Sequence, residues 1–236
     1  MHAQTLLGLL SAAATASALS GSGRSTRYWD CCKTSCAWSG KAAVSQPVTT
    51  CDNNNNPITN ANAPSGCDGG SAFACANNSP WAVSDKVAYG FAATAIAAES
   101  ATCCACFKYV APFPFPFAFL RLSASLAAVL FDQHGRRPGL EPIRPDDAGG
   151  GVGLFDGCTR QYGRALPGAQ YGGISSRSEC ASFPAQLKAG CEWRFDWFQN
   201  ADNPNFNFEQ VQCPSEIVAR SNCRRNDDSS FPAFRP

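Results

Sequence analysis

Hydrophobic and polar positions fall into runs of very different character along the chain. Residues 6–18 are an apolar run rich in Leu and Ala that ends in the small-x-small triplet Ala16-Ser17-Ala18. This is the pattern of a secretory leader with cleavage after Ala18 or Ser20, so residues 1–20 are set aside from fold reasoning. The run is short for a membrane span. Residues 43–80 carry no helical period, and the Asn53-Asn54-Asn55-Asn56-Pro57 and Gly69-Gly70 stretches mark turns. Asn77-Asn78-Ser79 is an N-glycosylation sequon on an expected surface loop. Residues 88–99 are Ala-rich and read as a closely packed strand or helix. Residues 149–157 read as a Gly-rich turn entering a buried strand. A phosphate cradle is disfavoured there, because no Lys-Ser/Thr pair follows. Residues 182–189 read as a short helix with Pro184 at its start. Residues 192–198 alternate polar and aromatic, as a half-buried strand does. Many short strands, long loops and few helices predict a mainly-β chain built on a small barrel. Residues 21–236 are expected to form one domain with no internal repeat and no linker to a second.

Composition narrows the function classes. Of 236 residues, 44% are hydrophobic and 16% charged, which permits a buried core and argues against bulk disorder. The net charge of +1 gives no electrostatic footprint for nucleic acid. All 14 cysteines lie beyond the leader, and their even number in an oxidising compartment predicts up to seven disulfides. The histidines are His2 and His134 alone. Zinc sites that pair Cys clusters with His are therefore disfavoured, as are Ser-His-Asp and Cys-His catalysis. No metal or cofactor is expected.

Candidate chemistry concentrates in Ser25-Thr26-Arg27-Tyr28-Trp29-Asp30-Cys31-Cys32-Lys33-Thr34-Ser35-Cys36-Ala37-Trp38. An acid sits among aromatics and close to three cysteines. Taken alone, an Asp beside Cys-Cys is more often structural, as a turn cap or as a partner of Arg27. The whole segment, however, resembles the signature of glycoside hydrolase family 45 endoglucanases. The resemblance continues at Pro80-Trp81-Ala82-Val83, Gly90 to Thr94, Cys103-Cys104-Ala105-Cys106, Gly149 to Cys158, Tyr171 to Ser176, Trp193 to Pro204 and Cys223 to Asp228. It covers residues 21–106 and 149–232.

The resemblance implies a six-stranded double-psi β-barrel with disulfide-stapled loops. It implies a secreted, monomeric enzyme that hydrolyses internal β-1,4-glucosidic bonds of cellulose or a related glucan with inversion. Nucleic-acid and membrane partners are not expected. Inversion uses two carboxyl groups, one activating water and one protonating the leaving oxygen. Asp30 matches the general base. Thr26, Tyr28, Trp38, Tyr171 and Asp202 match groove residues that bind the glucan, though each has a structural alternative in core packing or, for Asp202, in a turn. The implied disulfides are Cys31–Cys158, Cys32–Cys67, Cys36–Cys103, Cys51–Cys75, Cys104–Cys223, Cys106–Cys213 and Cys180–Cys191.

Residues 107–148 depart from the family. Residues 107–131, which include Pro112-Phe113-Pro114-Phe115-Pro116-Phe117, suit no strand of the fold, and residues 132–148 read like a family segment translated in a shifted frame. A frameshift, with retained intron before it, is the expected origin; a genuine insertion is the alternative. By distance to Gly149 the expected general acid falls at Arg144, and Asp146 and Asp147 lie nearer the glycines than the family's Asp. Two other readings therefore stay open. One is a non-catalytic, expansin-like wall-binding protein. The other is an inactive product lacking its acid.

Overall fold

Alternation within one strand organises the interior. Strand β6 (Val87–Ala93) is buried at all seven positions. Val87, Tyr89 and Phe91 join one apolar cluster with Val48, Cys103 and Ile217, whereas Ala88 and Ala92 join a second with Phe107, Tyr109 and Trp193. Neighbouring residues of a strand point to opposite faces, so large residues fill one side and alanines admit aromatics on the other. The computed structural model describes residues 18–94, 96–110, 147–235 and the backbone of 125–130 and 144–145.

Around β6 lie β1 (Ser20–Arg24), β5 (Trp81–Ala82), β7 (Cys106–Val110), β8 (Ser125–Leu130), β9 (Arg144–Pro145) and β10 (Asn205–Val211). The sheet order is β1-β10-β7-β8-β6-β5, with β9 also on β6. The pairs are antiparallel except β6 with β8, which is parallel. A smaller sheet joins β2 (Thr50–Cys51), β3 (Pro57–Ile58) and β4 (Phe73–Ala74) in the order β3-β2-β4. The protein is thus mainly β, but among the described residues the strand path is open and no pairing closes it into a barrel.

Among the described residues four α-helices interrupt the sheets: α1 (Glu99–Thr102), α2 (Gly157–Tyr162), α3 (Ala185–Asp196) and α4 (Ser215–Ser221). A third apolar cluster joins Trp29 and Cys31 to Ile174, Phe183, Leu187 and Cys191 of the C-terminal half. All seven disulfides implied by the family resemblance are present, and no described cysteine is free. No described helix is long and apolar enough to cross a membrane.

Several sequence expectations change. The strand predicted over 192–198 is instead the end of α3. Trp193 stacks on Trp197 at 5.4 Å and on Phe198 at 5.2 Å, contacts that a helical return four residues on makes possible. Residues 149–157 enter no buried strand; they form a loop with Leu154 and Phe155 exposed, ending in α2. Two strands fall inside the stretch 107–131 expected to suit none: most of β7 and all of β8. Phe107 and Tyr109 are buried in β7 and paired with β10, while Asp147 and Ala148 are core residues. Residues 111–124, 131–143 and 146 lie outside the described residues, as do leader residues 1–17.

Candidate active site

Asp30 follows a segment clamped by backbone hydrogen bonds from the glycine loop. Asp147 N–H donates to Tyr28 O at 3.1 Å, Trp29 N–H to Gly151 O at 2.8 Å, and Gly157 N–H to Asp30 O at 2.8 Å. The disulfide Cys31–Cys158 ties the same two segments covalently. Cys31 has φ +62°, a left-handed conformation that costs a non-glycine residue roughly 1–3 kcal/mol and persists only where its surroundings enforce it. The disulfide and the Ala74 N–H on Cys31 O supply that enforcement. Gly157 must lack a side chain, because a Cβ there would lie 2.6 Å from Cys67 Sγ and 2.9 Å from Asp30 O.

The Asp30 side chain is mostly buried, and its Oδ1 accepts from Cys32 N–H at 2.8 Å. The turn-cap role that sequence alone allowed is therefore real. It occupies one lone pair of Oδ1. Arg27 turns elsewhere, donating to Ala201 O at 3.1 Å and pairing with Asp202 at 3.5 Å.

Behind this segment lies a charged cluster that sequence reasoning did not assign. Asp147 and Arg194 are both about 1% exposed, with Asp147 Oδ2 3.6 Å from Arg194 Nε. Asp147 Oδ1 accepts from Gly149 N–H at 2.9 Å. Arg194 donates to Asn200 Oδ1 at 3.0 Å and makes a short hydrogen bond to Gly149 O. Burial pushes the Asp147 carboxyl up from 3.8 to about 6, against the opposing pull of Arg194, the Gly149 N–H and Arg27. Thr26, Arg27, Asp147 and Trp193 help line a cavity of about 10 Å³, close to the volume one water needs. An arginine embedded in the aromatic run Trp193-Arg194-Phe195 was the available signal: a buried guanidinium demands a buried acceptor.

The remaining predicted residues lie on several separate segments. Thr26 and Tyr28 are half-buried on the clamped segment. Tyr171 is 67% exposed on a Gly-rich loop tied to the clamp by Gly153 N–H on Gln170 O at 2.8 Å and Ile174 N–H on Gly149 O at 3.1 Å. Asp202 is a surface carboxylate reached through Arg27. Trp38 is half-buried beyond the short helix Ser35–Ala37, and Lys33 Nζ sits 3.3 Å from its ring centroid. Burial pushes the Lys33 ammonium down to about 8. No cluster of three or more potential metal-ligating side chains occurs among the described residues.

The glycosyl hydrolase family 45 model matches residues 22–116 and 143–224. The chain belongs to glycosyl hydrolase family 45. Between the two matched stretches of this family 45 chain lie residues 117–142, a gap narrower than the departure expected over 107–148. A Fusarium oxysporum protein provisionally named endoglucanase type K is 57% identical over 240 residues; the match takes in all of this chain but 61% of that protein. An endoglucanase of Cryptopygus antarcticus is 45% identical, over 87% of this chain and 90% of its own length. An endoglucanase of Phaedon cochleariae is 40% identical, over 87% and 85%. The crystal structure of the Antarctic springtail cellulase superposes with a TM-score of 0.80 at 44% identity, covering 88% of this chain and 99% of that one.

Proposed function

We propose that this family 45 chain is a secreted, monomeric endo-β-1,4-glucanase that cleaves internal bonds of cellulose or a related glucan with inversion. Asp30 is its general base. The observation that carries this reading is the clamp: three backbone hydrogen bonds and a disulfide fix the segment that ends in Asp30. A base must hold its water within about 3 Å along one line of attack, and a rigid carboxylate does this without reorganisation. Asp30 takes the proton from water as the oxygen bonds to the anomeric carbon. Inversion also requires a carboxylic acid, in such pairs roughly 6.5–9.5 Å from the base, to protonate the departing oxygen. Thr26, Tyr28, Trp38, Tyr171 and Asp202 line the glucan path in this reading.

Asp147 is not that acid. Although its carboxyl is pushed up to about 6, it is enclosed against Arg194 and cannot reach a sugar oxygen. The position that resemblance assigns to the acid falls at Arg144. We therefore infer that residues 117–142 and their flank carry a shifted reading frame, which sequencing the transcript tests. We also place the described strands in a six-stranded double-psi barrel, a reading supported by the parallel β6–β8 pair within an otherwise antiparallel sheet. Leader cleavage belongs after Ala18, since Leu19 N–H donates to Gln210 Oε1 and Leu19 O accepts from Gln210 N–H. A mature N-terminus at Gly21 would overturn that placement.

The decisive measurement is reducing-sugar release from carboxymethylcellulose by the chain as it stands and by a frame-corrected version. Asp30→Asn in the active form is expected to lower the rate by roughly 10²–10⁴-fold. An undiminished rate would remove Asp30 from the mechanism. Nuclear magnetic resonance of the first-formed anomer reads inversion directly. Inactivity of both versions with retained cellulose binding would favour the expansin-like reading.

A further inference from the structure

Lys33 is charged, nearly enclosed and engaged by neither catalysis nor a carboxylate in the site described above. Its Nζ donates to Ala61 O at 2.6 Å and to Ala63 O at 2.8 Å, and lies 3.3 Å from the centre of the Trp38 ring. An ammonium has three N–H donors and no acceptor. Two carbonyls and one ring face use all three. The residue is 4% exposed, whereas Trp38 is half-buried. The arrangement is braced at both ends, because Cys32–Cys67 anchors the loop that follows Ala63 and Cys36–Cys103 anchors the turn that carries Trp38.

One face of the Trp38 indole is therefore occupied by a desolvated cation, the setting in which cation–π attraction is strongest. A sugar ring stacks on a flat aromatic face, so only the opposite face can receive one. We infer that Lys33 is a positioning residue that fixes Trp38 as a one-faced stacking platform for a glucose unit of a β-1,4-glucan, its plane tied to the 61–63 loop. This rests on Trp38 lining the glucan path, as set out under the proposed function. Lys33 touches no reacting atom; it acts through the ring.

Cellohexaose binding, followed by calorimetry on the full chain, separates this role from a merely structural one. Lys33→Met is expected to weaken binding about tenfold, the scale of one well-desolvated cation–π contact. Trp38→Ala is expected to weaken it at least as much. The double variant should bind no more weakly than Trp38→Ala alone, because Lys33 has nothing left to position. Lys33→Arg should restore most of the affinity, since guanidinium also stacks on indole. With a soluble glucan, KM should rise in Lys33→Met more than kcat falls. Equal weakening by Lys33→Met in both backgrounds would overturn the proposal, as would cellohexaose binding by Lys33→Met at wild-type strength. If Lys33→Met loses its near-ultraviolet circular dichroism, Lys33→Gln, which keeps a donor, is carried through the same cycle under the same criterion. A chain that binds cellohexaose yet releases no sugar would sink the catalytic reading alone and leave this coupling readable. Wild-type affinity in Trp38→Ala would sink the platform.

Discussion

At the scale of single residues, the most consequential groups are two that carry no direct chemistry, Asp147 and Arg194. Each is enclosed, and each completes the other: removing one partner of a buried pair leaves an uncompensated charge costing several kcal/mol. Their bonds to Gly149 N–H and Gly149 O hold the start of the loop that clamps Tyr28 to Asp30. Burial outweighs the ion pair, so the folded carboxyl titrates at about 6 rather than 3.8. A raised folded value means that the folded state favours the proton. The resulting stabilisation is fully present below pH 3.8 and is lost as pH rises through about 6. The gap corresponds to ~3 kcal/mol. Asp147→Asn keeps an acceptor for Gly149 N–H but cannot titrate. Urea unfolding at pH 4 and pH 7 should therefore show the stability of wild type relative to Asp147→Asn falling by ~2 kcal/mol between the two, since part of the effect lies below pH 4. A constant difference would show that burial does not dominate at this site.

At the scale of elements, the sequence was most readable where local chemistry and cross-links dictate structure. Pro184 does open a helix, and the turn-rich stretch 43–80 yields only two- and three-residue elements. Family membership was readable because the signature around Asp30 is contiguous. Residues 192–198 misled because polar–aromatic alternation also fits the last turn of a helix. There, Trp193 meets Trp197 and Phe198, and Arg194 turns inward to Asp147. The Asp147–Arg194 pair joins residues far apart in sequence: the aromatic run around Arg194 signals a buried guanidinium, but no local pattern names Asp147 as its partner. The loop 149–157 was misassigned for a related reason: its glycines serve close backbone approach rather than entry to a strand. Gly157, the first residue of α2, makes this concrete. Its Cβ would meet Asp30 O and Cys67 Sγ, a backbone atom and a disulfide sulfur that cannot swing away. Gly157→Ala is expected to cost about 1–3 kcal/mol by overpacking. It should also lower kcat more than it raises KM for a soluble glucan, because it displaces Asp30, the proposed base, and leaves Trp38 in place. Unchanged kcat would mean that Asp30 tolerates the shift.

At the scale of the whole molecule, seven disulfides take over part of the work of a core that is split into three apolar clusters. Their contributions differ, because a cross-link stabilises mainly by restricting the unfolded chain and does so more for longer loops. Cys180–Cys191 spans 11 residues and Cys31–Cys158 spans 127. The longer figure overstates the constraint. With Cys36–Cys103 intact, the covalent route from Cys31 to Cys158 shortens to roughly 60 residues. Even so, the loop-entropy relation makes the Cys31–Cys158 bridge worth about 1–2 kcal/mol more than the local one. It also does something that the local bridge does not, since it joins the Asp30 segment to the helix that follows the glycine loop. Replacing Cys31 and Cys158 together by Ser should therefore lower the unfolding midpoint more than replacing Cys180 and Cys191, and should cut glucan hydrolysis at temperatures where both variants remain folded. Equal midpoints would assign the stabilisation to native-state contacts. A full rate in the Cys31→Ser, Cys158→Ser variant would show that the three backbone hydrogen bonds hold Asp30 without covalent help.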